Sequence, residues 1–190
     1  MSKISWRPGT QLYPLPAVLV TAGKAPEDWT MLTVAWTGII CSDPAMCYVS
    51  VRPERASYPL LIENMEFTIN LTTVEMARQT DWAGVRSTRD YNKWKETRLT
   101  PLEGEKVSCP TIDESPISLE CRVKQVLKLG THDMFIADII NVRADSRFLD
   151  EKTGRFQMEK ANLLVFAHGM YHSLGEIIGK FGFSVEKRKK

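Results

Sequence analysis

Two short segments concentrate the residues best suited to hold an anion. One is Trp82-Ala-Gly-Val-Arg-Ser-Thr-Arg-Asp-Tyr-Asn-Lys-Trp94, which carries Ser87, Arg89 and Lys93 together with Gly84. The other is Ser50-Val-Arg-Pro-Glu-Arg-Ala-Ser57-Tyr58. Arginine forks and hydroxyls satisfy phosphate oxygens with charge-assisted hydrogen bonds, so two such segments can grip a phosphate-bearing cofactor from two sides. Either segment alone reads equally well as solvated surface. Ser50 and Arg52 share a strand face, and Ser57 opens the helix that follows. There its hydroxyl either meets a phosphate or simply caps the helix.

Other residues have two readings each. Trp36 shares a face with Leu32 and Val34, as a core tryptophan or as a wall beside an aromatic cofactor ring. Asn70 is polar on a half-buried strand, bonding either a neighbouring loop or a ligand edge, and the backbone of Leu71 and Val51 can meet a heterocycle. His168-Gly-Met-Tyr171-His172 spaces two histidines four apart. Gly169 weakens the helix that would align them, and two ligands are not a metal site. His132 is expected in a turn, facing solvent. No nucleophile elbow, carboxylate pair, dinucleotide glycine fingerprint or P-loop is present. Anion holders and aromatic walls without an acid–base pair suit a protein whose chemistry is carried by a bound cofactor.

Closely spaced strands must position these residues. Ala17–Thr21 and Thr30–Ile40 are apolar, β-branched runs, the second ending at the turn signal Ser42-Asp43-Pro44. Cys47–Arg52 alternates, with Cys47, Val49 and Val51 on one face, until Pro53 stops it. A short helix over Ala56–Asn64 precedes a strand at Glu66–Leu71. A second helix is expected from a Thr72-Thr73 cap to about Ala83, ended by Gly84 in a left-handed cap. Ile117–Lys124 alternates with Ile117, Leu119, Cys121 and Val123 inward and Ser118, Glu120, Arg122 and Lys124 outward. Phe135–Val142 returns across a hairpin, residues 143–160 connect, and Leu163–Ala167 is the last strand. About seven strands with two or three short helices predict a mainly β chain, an antiparallel Greek-key barrel with peripheral helices, rather than a doubly wound sheet.

A length of 190 residues suits one domain, and 43% hydrophobic with 25% charged residues is ordinary for a globular one. A net charge of +2, with bases and acids interleaved, argues against nucleic acid. The exception, Lys187–Lys190, reads as a solvated tail. No apolar run approaches the roughly 20 residues of a membrane helix, and the N-terminus lacks a signal-peptide core. Cys41, Cys47, Cys109 and Cys121 form no C-x-x-C pair, so reduced, mostly buried thiols and a cytoplasmic location are expected.

Taken in order, the motifs resemble the flavin reductase-like, FMN-binding split-barrel family, and within it the flavoredoxin-like branch. The carrying segments are Pro16-Ala-Val-Leu-Val-Thr21, Met31-Leu-Thr-Val-Ala-Trp36-Thr-Gly38, Ser50-Val-Arg-Pro with Ser57-Tyr58, and Glu66-Phe-Thr-Ile-Asn70-Leu71. Gly84–Trp94 is similar to the family's Ser-Gly-Arg-Asp-x-x-Lys-Phe stretch, and His168-Gly-x-Tyr171 with Leu174-Gly175 to its closing motif. The likeness spans roughly residues 12–182 of a single-domain chain, leaving a basic tail at 184–190. It implies an antiparallel split β-barrel. Thr33, Ala35 and Trp36 would line the flavin, and Ser50, Val51 and Arg52 would hold its edge and phosphate. Ser57 and Tyr58 would add phosphate bonds, and Asn70 and Leu71 would contact the ring or ribityl chain. Ser87, Arg89 and Lys93 would complete the anion site. His168 and Tyr171 would lie where an electron donor docks, with His168 the one candidate for a catalytic part. Thr88 stands where the family usually has glycine.

The resemblance further implies a homodimer with FMN at the subunit interface, acting as an oxidoreductase. NAD(P)H or a redox protein would supply electrons, and a small molecule or another redox protein would accept them. A non-enzymatic flavoredoxin-type carrier, or a flavin- or haem-binding module without NAD(P)H activity, are the alternatives. No metal, nucleic-acid or membrane partner is implied.

Overall fold

The computed structural model describes residues 2–185; the basic run Lys187–Lys190 lies outside them. The chain opens with β1 (Leu15–Pro16), β2 (Val18–Ala22), β3 (Thr30–Val34), β4 (Thr37–Ser42) and β5 (Ala45–Val51). Helix α1 (Tyr58–Asn64), strand β6 (Glu66–Leu71) and helices α2 (Ala77–Val85) and α3 (Lys93–Thr97) follow. The short pair β7 (Pro101–Leu102) and β8 (Thr111–Ile112) leads to the long hairpin of β9 (Ile117–Lys128) and β10 (Asp133–Ala144). β11 (Leu164–Ala167) and β12 (Met170–Ser173) close the fold.

Seven strands form one sheet in the order β3-β2-β6-β9-β10-β5-β4, every pairing antiparallel. The sheet curls until the segment after β3 reaches β5, where the Ser50 amide donates to the Trp36 carbonyl at 2.8 Å. This is an antiparallel split β-barrel with peripheral helices. A three-stranded sheet, β1-β11-β12, stands beside it.

Period-two side chains explain the two cores. From β2, Val18, Val20 and Ala22 enter the barrel interior with Val49, Phe67 and Phe135. Leu19 points the other way, into a second core with Met31, Met76, Ala83, Leu99 and Ile112 under the helices. β2 is therefore covered on both faces, which is why it reads as a continuous apolar run. Bulges bend both arms of the hairpin, with the extra residue Lys124 on β9 and Ile140 on β10.

Several expectations are corrected. The run Thr30–Ile40 is two strands, because the chain turns at Ala35-Trp36, where the Thr37 amide bonds the Ala35 carbonyl, and changes partner from β2 to β5. The helix expected from Thr73 begins as a 3₁₀ turn, Val74–Met76, and runs on to Val85. Gly84 sits inside it rather than capping it. A Cβ there would lie 3.1 Å from Thr33 Cβ, so glycine serves a close approach of α2 to β3. Leu163–Ala167 is not the last strand, since β12 pairs back onto β11. Ser118 and Glu120, expected outward, are buried. A connection covers that face: the Glu120 carboxylate accepts from the Glu105 and Lys106 amides at 2.8 and 2.7 Å.

The four cysteines are free. Cys47 and Cys121 face each other inside the barrel, Sγ to Sγ 3.6 Å. The hydrogen bond with Cys47, together with burial, pushes the Cys121 thiol up.

Candidate functional site

A cavity of about 380 Å³ opens where the barrel splits. Its floor comes from β3 and the turn after it: Leu32, Thr33, Val34, Ala35 and Trp36. The end of β5 contributes Ser50 and Val51, and the segment beyond it Arg52 and Arg55. The last turns of α2 add Asp81, Gly84 and Val85. Phe166 and Tyr171 face each other across β11 and β12 and pack edge to face, centroids 5.6 Å apart, over the remaining side. The walls are mainly apolar and aromatic, with the cations Arg52 and Arg55 among them, the composition expected of a small-molecule site.

The cavity brings together Thr33, Ala35, Trp36, Ser50, Val51, Arg52 and Tyr171 of the sequence candidates. The others lie elsewhere. Asn70 is fully buried. Its Nδ2 donates to the Leu19 carbonyl at 3.0 Å and to Thr21 Oγ1 at 3.3 Å, while its Oδ1 accepts from the Ile112 amide at 3.0 Å and Ser118 Oγ at 2.7 Å. Asn70 thus takes the loop-satisfying reading. Leu71 borders a separate apolar hollow with Pro14, Pro16 and Leu164. Tyr58 packs its ring on Phe135 and donates its hydroxyl to Asp133. His168 sits exposed in the β11–β12 turn at φ 49°, against the ring of Tyr13.

The second anion-rich segment lies on the far side of the α2–β3 contact. Arg89 and Lys93 border a neighbouring polar hollow with Thr30 and Thr88. Ser87 accepts the Arg89 amide at 3.1 Å. Ser57 caps nothing with its side chain; its Oγ lies 3.5 Å from Thr30 Oγ1, which is 2.7 Å from Thr88 Oγ1. Thr88 thus joins the two segments through Thr30, and its backbone is not among the positive-φ residues. Lys93 is 4% exposed, and its ammonium donates to the Met31 and Ala83 carbonyls at 2.9 and 2.6 Å. Burial, then the charge of Arg55, pushes it down to about 8.

Sequence reasoning missed Arg55, Asp81, Phe166 and His132. Arg55 lay within the quoted segment; its Nη1 donates to the Gly84 carbonyl at 2.8 Å. Asp81 sits beside Tyr171, whose hydroxyl is pushed up to about 12, first by burial and then by that carboxylate. His132 faces the cavity rather than solvent, stacked on Trp36 with ring centroids 6.5 Å apart at 22°. Burial, then Arg52, lowers its pKa below the ordinary 6.5. The ring is therefore expected to be neutral at pH about 7, and its NMR signals should titrate below 6.5. A titration at or above the ordinary histidine value would show that Arg52 and the stack do not shape this corner.

The Arg52 side chain has no ion pair or hydrogen bond among the described residues. An arginine without a counter-charge in the wall of a partly aromatic cavity fits a planar ligand that carries an anionic tail.

Comparison with known proteins agrees with this architecture. Residues 10–175 match the model of the flavin reductase like domain. An uncharacterized protein of Archaeoglobus fulgidus is 31% identical over 141 residues, 74% of this chain and 78% of that one. FMN reductase (NADH) RutF 2 of Rhizobium rhizogenes is 42% identical over 109 residues, 55% of this chain and 60% of that one. Among solved structures, the flavoredoxin of Desulfovibrio vulgaris (Miyazaki F) superposes with a TM-score of 0.88 at 29% identity, covering 97% of this chain and 100% of that one. With its split barrel and the match across most of its length, the chain belongs to the flavin reductase-like family.

Proposed function

We propose that this protein is an FMN-binding oxidoreductase that passes electrons from NAD(P)H or a redox partner through a bound flavin to an acceptor. The observation that carries the reading is the cavity itself, which Trp36, Phe166 and Tyr171 line together with Arg52, whose side chain has no partner among the described residues, and Arg55. The residues fit the group: apolar and aromatic walls for a heterocycle, the backbone of Ser50 and Val51 at its edge, and two guanidinium groups for a phosphate. A flavin, when bound, supplies the electron-accepting and electron-donating chemistry. The chain's own groups bind and orient it. Trp36 and His132 form a stacked pair along one wall, and Tyr171, held protonated at neutral pH, offers a hydroxyl donor beside Asp81.

A homodimer with the cavity at its interface belongs to the same proposal. Ile39 and Ile40 lie exposed on the edge strand β4, and Ile177, Ile178 and Phe181 lie exposed near the C-terminus. Such apolar surface is covered in assemblies. The buried free thiols support a reducing, cytoplasmic setting. No helix among the described residues is long and apolar enough to cross a membrane.

The likeness to a flavoredoxin along nearly the whole chain favours a second reading, an electron carrier that keeps its FMN and is fed by another protein. The visible absorbance of the purified protein, followed anaerobically during addition of NADH and then NADPH, separates the two. Rapid bleaching is expected for the reductase. Retained flavin that neither nucleotide bleaches supports the carrier. A colourless protein that fails to bind added FMN overturns both.

A further inference from the structure

Lys93 is the least exposed cation in the described chain, yet no carboxylate pairs with it. Its two hydrogen-bond partners are backbone carbonyls, and their location is specific. The Ala83 carbonyl lies in the last turn of α2, where intrahelical donors run out. The Met31 carbonyl lies on β3, at one end of the strand order of the large sheet. A cation at that point also meets the negative end of the helix dipole. On the other side of the same turn, Arg55 holds the next carbonyl, that of Gly84. Between the two cations, Thr33 donates to the Thr80 carbonyl and Gly84 rests against Thr33.

We infer that Lys93 is a positioning residue: from behind the cavity wall it ties the C-terminal turn of α2 to β3, and so fixes the wall that Thr33, Gly84 and Val85 present to the ligand. It acts through backbone, without touching an anion itself. Removing it frees the Ala83 carbonyl, and the last turn of α2 loosens from the strand. The charged and titratable groups around it are Arg55 from the β5–α1 segment, Glu27 from the β2–β3 connection, and Arg89, Asp90 and Tyr91 from the α2–α3 segment.

The test compares full-length wild type, Lys93→Met and, as an exposed control on the same helix, Lys95→Met. Dissociation constants are measured for FMN and for riboflavin, which lacks the phosphate, and amide exchange is followed across α2. A positioning role predicts that Lys93→Met weakens both flavins by a similar factor, about 10–100-fold by analogy with residues that support a ligand shell from outside. It also predicts faster exchange confined to residues 84–86, with Lys95→Met unchanged in both. A loss confined to FMN would make Lys93 a direct phosphate ligand and overturn the inference, as would unchanged exchange at the end of α2. Should Lys93→Met fold poorly, wild type alone decides. The buried ammonium protons of Lys93 are expected to exchange slowly enough for NMR to detect them, with couplings across their hydrogen bonds to the Ala83 and Met31 carbonyls, and an ammonium in rapid exchange with water rejects the clamp. The flavin readout rests on the proposed cofactor and the exchange readout does not, so a wild type that binds no flavin removes the former and leaves Lys93 to be decided by the latter.

Discussion

Asn70→Leu should cost the fold about 4 kcal/mol, taking two stranded donors at about 1–3 kcal/mol each. The side chain is fully buried and all its polar capacity is used. It links β2 through the Leu19 carbonyl, β8 through the Ile112 amide and β9 through Ser118. A leucine of similar volume keeps the packing but leaves the Ile112 amide and the Ser118 hydroxyl buried without the Asn70 acceptor. With domain stabilities of about 5–15 kcal/mol, that is a large fraction of the total. In urea, with a slope of about 2 kcal/mol/M, the midpoint should fall by about 2 M at fixed protein concentration. Asn64→Leu is the matched control. Both polar side-chain atoms of Asn64 are buried without a partner, so their removal should be neutral or mildly stabilising. Equal midpoints for the two variants would show that the Asn70 hydrogen bonds carry no net stability.

Asn70 also shows where the sequence was legible and where it was not. Period-two alternation gave β5, β6 and the β9–β10 hairpin with useful bounds, because one face of each packs in the barrel interior and the pattern reports that face directly. Alternation cannot report what covers the other face. Asn70, Ser118 and Glu120 all point outward from the barrel, and each is buried by chain that arrives from elsewhere: β8 for the first two, residues 105–106 for the last. The break at Ala35-Trp36 was invisible for a similar reason. Its residues favour strand on both sides, and only the exchange of β2 for β5 as partner forces the turn. In the site, the floor and the Ser50–Arg52 edge were readable, since each lies along one short run of sequence. Lys93 and Arg89 were read as part of the same grip because sequence shows charge and not side: the contact of α2 with β3 puts them behind the wall. His132 was hidden by its position in a hairpin turn, where only the stack on Trp36 reveals that it faces the cavity.

Arg55→Met should weaken FMN binding about 100-fold while weakening riboflavin only a few-fold. A charge-assisted hydrogen bond contributes about 1.5–3 kcal/mol, and each 1.4 kcal/mol is a factor of about 10 in affinity. Arg55 has two jobs in the structure. One guanidinium nitrogen holds the Gly84 carbonyl at the end of α2, and the group also lines the cavity beside Arg52. The first job concerns the wall and is felt by any flavin; the second concerns a phosphate and is felt by FMN alone. The ratio of the two dissociation constants therefore isolates the phosphate contribution from the wall, as in a double-mutant cycle. Arg52→Met, at a side chain with no other partner among the described residues, should change the ratio without changing riboflavin binding at all. Salt gives a second check, because the FMN constant of wild type should weaken with ionic strength more steeply than that of either variant. Equal losses for FMN and riboflavin in both variants would mean that the arginines shape the cavity but do not meet a phosphate, and the anion would then have to be sought in the hollow around Arg89. If instead the ratio collapses in both, Arg52 and Arg55 mark the phosphate site, and the aromatic walls of the cavity are left for the ring.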